Sequence, residues 1–150
     1  MQAGTMTVEE LLECNKGRGW IGVDLDGTLA AWTTWTRWDE FGEPIAPMVD
    51  RVRAWVADGH VVKIFTARLD DGSRHNTCKK TGERFTPRQM EIAIRAWCLR
   101  HLGFELEVTN VKDMHMIMLY DDRCVQMVPN TGRTLAEEHA AELAALRGAP

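Results

Sequence analysis

A chain of 150 residues is long enough to bury a core and short for two ordinary domains, so residues 1–150 are expected to form one domain. Its 45% hydrophobic and 27% charged residues exclude a disordered chain, and no apolar run nears the ~20 residues of a membrane span. With 18 basic against 22 acidic residues and a net charge of −4, no overall basic surface advertises duplex nucleic acid. The first residues hold no basic group followed by an apolar core, so no secretory leader is expected. Four scattered cysteines (Cys14, Cys78, Cys98, Cys124) form no C-x-x-C pair, which disfavours zinc or a disulfide framework and fits a reducing cytoplasm.

The chain alternates helix-like and strand-like segments. Thr7 and Glu10 read as a capping box opening a short helix that ends near Gly17. Residues 20–23 are a short apolar run, read as a buried strand ending at Asp24. A second helix is expected from Pro47 to just before Gly59, with Val49, Val52 and Val56 on one side. Residues 60–65 read as a second strand that ends at Thr66. A long polar loop over 68–85 follows, then a helix capped by Thr86 with Met90, Ile94 and Trp97 on one face and a stop at Gly103. Residues 104–108 and 116–120 read as a third and a fourth strand, and 124–128 as a short fifth. A final Ala-rich helix is capped by Thr134 and reaches about Arg147.

Apolar strands separated by helices favour an α/β fold, Rossmann-like and doubly wound, with a mainly parallel sheet covered by helices on both faces. Ligands bind such sheets beyond the carboxyl ends of the strands. Three of these strands end in polar groups: Asp24, Thr66 and Asp121. In Asp24-Leu25-Asp26-Gly27-Thr28 two carboxylates lie two residues apart in an extended segment, and Gly27 lets the chain turn away. Acidic groups gathered at one sheet edge repel each other unless a hard cation lies between them, and Mg²⁺ takes oxygen ligands of this kind. Lys112 and Thr66 offer a cation and a hydroxyl to an anion bound there.

These residues resemble the four motifs of the haloacid dehalogenase-like superfamily of Mg²⁺-dependent phosphohydrolases. Asp24 to Thr28 is similar to the first motif, Thr66 to the second, Lys112 to the third and Asp121-Asp122 to the fourth. They occur in order, with separations of 42, 46 and 9 residues (24 to 66, 66 to 112, 112 to 121). The segments around residues 42–49, 65–68 and 121–132 further resemble small, mostly uncharacterised phage and bacterial members. The resemblance implies phosphoryl transfer through an aspartyl-phosphate. Asp24 is then the nucleophile and Asp26 the general acid and base, while Thr66 and Lys112 contact phosphoryl oxygens. Mg²⁺ would be held by Asp24, Asp26, Asp121 and Asp122, and Gly27 and Thr28 would lie beside the substrate.

Neither interval between motifs leaves room for a large cap domain, so the resemblance is to the capless type with an open site. Two stretches remain to choose the substrate. Trp32, Trp35 and Trp38 are half of the chain's six tryptophans and follow directly on the first motif. Aromatic faces stack on nucleobases, which points to a nucleotide or a nucleic-acid end and marks Trp35 and Trp38 as candidate contacts. The alternative is that these rings plug the core or a dimer interface. From residue 68 to 95 seven basic residues stand against four acidic ones, and Arg68 is the best placed to hold phosphate. The expected function is a phosphomonoesterase, with a nucleic-acid end phosphatase or a non-catalytic binding protein as rivals.

Overall fold

The computed structural model describes residues 6–32, 38–70, 77 and 81–148. Four helices, α1 (Val8–Cys14), α2 (Ala46–Ala57), α3 (Pro87–Leu102) and α4 (Leu135–Gly148), alternate with four strands, β1 (Trp20–Val23), β2 (Val61–Phe65), β3 (Glu107–Thr109) and β4 (Met116–Tyr120). The strands form one sheet in the order β3-β2-β1-β4, and every pairing is parallel. This is a small α/β domain of Rossmann-like, doubly wound type. No helix among the described residues is long and apolar enough to cross a membrane.

Local chemistry sets the element ends. Thr7 and Glu10 close the capping box of α1, and Thr86 and Gln89 close that of α3. Gly103 ends α3 in the left-handed conformation that glycine adopts without a Cβ clash. Pro47 stands in the first turn of α2, where its missing N–H costs nothing.

β1 is buried along its whole length because it lies inside the sheet. Ile21, Val23, Val52, Ile64 and Ile94 are fully enclosed in the core, joined by Trp97 and Leu102 from α3. Trp55 of α2 packs on Tyr120 of β4, with ring centroids 4.7 Å apart.

The sequence expectation fails at two places. The third strand begins at Glu107, because Phe104 and Leu106 spend their apolar surface packing the return from α3. Residues 124–128 form no strand: Met127 bridges only Thr134, and Val125 is 70% exposed. They close a tight turn instead, with Val128 N–H donating to Arg133 O and Leu135 N–H to Gln126 O. α4 follows and has no buried residue.

The order of the sheet also locates the crevice. From β1 the chain steps outward to β2 and β3, then crosses back to β4 on the other side of β1. That reversal makes the carboxyl ends of β1 and β4 the switch point, where open α/β sheets bind ligands.

Candidate active site

In the β1–β4 register Val23 faces Tyr120, so Asp24 and Asp121 emerge side by side from the sheet. Asp24 N–H donates to Tyr120 O at 2.9 Å and continues the pairing by one bond. Carboxylate oxygens of Asp24, Asp121 and Asp122 all lie within 4.8 Å of one another. Asp24 is half-buried, and its carboxyl is pushed up to about 7. Burial is the larger cause, the Asp121 charge comes next, and the Asp26 and Asp122 charges add to it, against a hydrogen bond from the Leu25 backbone. Such a cluster repels itself and is matched to a hard divalent cation, which takes carboxylate oxygens.

The turn after β1 is built to bring these groups together. Gly27 has φ +95°, and its N–H donates to Ala30 O at 2.8 Å. A Cβ placed on Gly27 would lie 2.7 Å from Oδ2 of Asp122. Thr28 Oγ1 accepts the Asp122 N–H at 3.1 Å. Gly27 and Thr28 therefore pack directly against the Asp121-Asp122 turn. Asp121 Oδ1 in turn accepts the Arg123 N–H at 2.8 Å, which fixes the turn beyond β4.

Thr66 lies at the end of β2, next to β1, and is 2% exposed. Its N–H donates to Thr109 O, and its hydroxyl oxygen accepts the Arg68 N–H at 3.2 Å, opening the 3-10 turn Ala67–Leu69. Lys112 is exposed. Its position is marked electrostatically at Cys124, whose thiol is pushed up first by burial and then by Asp121 and Asp24, while Lys112 opposes them.

Asp26 does not face the cluster freely. Arg68 grips it with a two-pronged fork, Nε to Oδ2 at 2.6 Å and Nη2 to Oδ1 at 2.8 Å. Arg68, expected at the substrate phosphate, is thus placed on the second carboxylate of the first motif. The same guanidinium donates to the backbone oxygens of Trp38 and Glu40 and lies 4.5 Å from the centre of the Phe41 ring. It fastens a strap of residues 38–45, which Trp97 Nε1 also holds through Gly42 O. Ala31 N–H to Glu43 O and Ile45 N–H to Leu29 O complete the attachment.

The tryptophans divide. Trp38 stacks on Phe85, centroids 5.3 Å apart, and packs against the core. Trp32 is 58% exposed, and the Arg123 guanidinium lies 6.0 Å from its ring centre. That contact puts Trp32 beside the Asp121-Asp122-Arg123 turn. Trp35 lies outside the described residues, as do Arg74, Lys79 and Lys80 of the basic loop. Two partnerships escaped the sequence reading, Arg68 with Asp26 and Arg123 with Trp32. A signal existed for the first: the two residues carry opposite charge, each two positions beyond a strand-end motif residue.

Among the described residues, 29–32 and 38–45 hold no helix or regular strand, and between Thr66 and Glu107 the helices are the 3-10 turn and α3. A separate cleft, lined by Leu11, Asn15, Arg18 and His115 among others, sits at the opposite, amino ends of β1 and β4.

No protein-family model matches this chain, and no curated protein matches it. A solved structure, that of the conserved protein coded by locus from Bacteroides thetaiotaomicron, is 20% identical to it. That likeness has a TM-score of 0.45 and covers 88% of this chain and 98% of the other.

Proposed function

We propose that this chain is a Mg²⁺-dependent phosphomonoesterase of haloacid dehalogenase-like type that works through an aspartyl-phosphate, with nucleotides as its substrate class. One observation carries the proposal: Asp24, Asp121 and Asp122 converge within 4.8 Å at the switch point of a parallel sheet. Burial and, after it, the neighbouring carboxylates raise Asp24 in the absence of a cation, and a bound cation would oppose that rise and favour the ionised nucleophile.

Mg²⁺ would be held by the Asp24 and Asp121 carboxylates and the Asp26 backbone carbonyl, with Asp122 completing the shell. When bound, it would offset the repulsion between a carboxylate nucleophile and a phosphate. Asp24 attacks phosphorus, and the phosphoryl group passes from the substrate oxygen to its carboxylate. Asp26 serves as acid for the departing oxygen and as base for the water that cleaves the acyl phosphate. Thr66 and Lys112 contact phosphoryl oxygens as charge shifts. Trp32 supplies an exposed aromatic face at the crevice, on which a base can stack.

The test is phosphate release from nucleoside monophosphates, sugar phosphates and 5′- or 3′-phosphorylated oligonucleotides, with Mg²⁺ and after chelation. We expect Mg²⁺-dependent release, fastest from nucleotides. Preference for the oligonucleotides would move the substrate to nucleic-acid ends. No release from any of them, or full release after exhaustive chelation, overturns the proposal.

A further inference from the structure

We infer that Arg68 is a positioning residue that holds the Asp26 carboxylate in place as the base of the hydrolysis step, and that it does not grip substrate phosphate. The inference rests on the phosphatase reading above.

Its basis is how fully the guanidinium is committed. The Arg68 and Asp26 side chains are 5% and 9% exposed, and both carboxylate oxygens are taken by the fork. Nη1 donates to Trp38 O at 3.2 Å and Nη2 to Glu40 O at 3.1 Å. At least four of the five N–H bonds that a guanidinium carries are therefore engaged, and one face lies against Phe41. Moving Arg68 onto a phosphate would strand the buried Asp26 carboxylate, which is costly to leave unpaired.

The backbone keeps the guanidinium there. Arg68 N–H is held by Thr66 Oγ1, so the end of β2 sets where the side chain begins. Arg68 thereby links the second motif to the first and to the strap of residues 38–45. A carboxylate held by a fork has both its position and its plane fixed, which a lysine, as a point charge, cannot reproduce.

In the step concerned a water oxygen attacks the phosphorus carried by Asp24. The bond from phosphorus to the Asp24 oxygen breaks, and its electron pair returns to the carboxylate. The water's proton passes to Asp26, and inorganic phosphate leaves. A slack Asp26 slows this step and leaves the phospho-enzyme standing.

The experiment uses p-nitrophenyl phosphate, whose phenolate departs without a proton, so the first step makes no demand on Asp26. For Arg68→Lys and Arg68→Ala we expect kcat to fall about 10- to 1,000-fold, less than the full ~10²–10⁴ that a positioned base is worth, because Asp26 itself remains. KM should fall with it, and phosphorylated Asp24 should accumulate, read as added phosphoryl mass on the acid-quenched protein. Unchanged kcat, a raised KM at constant kcat, or a fall in kcat with no phospho-enzyme overturns the inference. A second measurement needs no variant: the wild-type structure with Mg²⁺ and beryllium fluoride, an acyl-phosphate mimic. The fork remaining on Asp26 supports the role, and the fork transferred to the fluorides overturns it. Failure of the wild type to hydrolyse both p-nitrophenyl phosphate and the phosphomonoesters named above would end the phosphatase reading and this role with it. Wild-type turnover with an adverse Arg68 result would end the role alone.

Discussion

Gly27 meets two demands that no other residue satisfies together. Its φ of +95° lies where a Cβ strains the backbone, and that Cβ would press on the Asp122 carboxylate at 2.7 Å. We expect Gly27→Ala to cost about 1–3 kcal/mol of stability in urea unfolding. Mg²⁺ affinity should fall as well, because the displaced group is a member of the cluster. Wild-type stability and affinity in the variant would show that the turn has slack. Asp24 carries a separate, pH-dependent cost. Its folded-state carboxyl lies at about 7 against an ordinary value of 3.8. Below about pH 4 both folded and unfolded chains hold the proton, and no stability is lost. Between about pH 4 and 7 the unfolded chain releases it first, so stability falls as pH rises, and above 7 the loss is complete. Solvent screening at this half-buried site keeps the loss smaller than the raw shift. We therefore expect Asp24→Asn to abolish turnover and to raise the Tm of the metal-free protein at pH 8 but not at pH 4. Equal Tm differences at both pH values would contradict the assignment.

At the scale of elements, the strands explain which residues meet, and the loops explain which do not. β1, β2, β4 and the helix caps were legible in the sequence because burial and capping are local signals. The convergence of Asp24 with Asp121 followed from strand ends alone. The partner of Asp26 was only weakly signalled, by two opposite charges each two positions beyond a strand end, since Arg68 is also held by a strap that Trp97 and Phe41 help to fix. Residues 124–128 misled because apolar alternation needs a neighbouring strand, and none among the described residues lies beyond β4. The tryptophans were ambiguous for a similar reason: identical side chains six positions apart meet Phe85 in one case and Arg123 in the other. Their variants should separate. Trp38→Ala removes a ring packed on the core, and we expect a loss of about 3 kcal/mol or somewhat less, near the lower end for buried aromatics. Trp32→Ala should leave the Tm within a degree or two, because most of that ring faces solvent. It should raise KM for nucleotides about 5- to 150-fold, the worth of one stacked base, and leave p-nitrophenyl phosphate little affected. A Trp32→Ala that destabilises the fold and slows both substrates alike would make this ring structural.

For the molecule as a whole, the decisive feature is an acidic cluster at the switch point of a chain that is itself net negative. Among the described residues no ion pair to the cluster is formed, since Arg68 is committed to Asp26 and Lys112 is an exposed charge. A divalent cation binding there stabilises the folded chain by mass action, about 2.7 kcal/mol at a hundredfold excess over Kd. A chain of this size registers that as several degrees in Tm. Protons compete for the same oxygens, because Asp24 holds its proton up to about pH 7. The Mg²⁺-induced rise in Tm should therefore be small at pH 5.5, grow through pH 7 and level off above pH 8. Asp121→Ala should diminish it more than Asp122→Ala, since Asp121 is half-buried beside Asp24 and Asp122 is exposed. Thermal denaturation over a Mg²⁺ series at three pH values, with a chelator control, measures all of this without a substrate. A rise that ignores pH, or that survives Asp121→Ala undiminished, would place the cation elsewhere on the molecule.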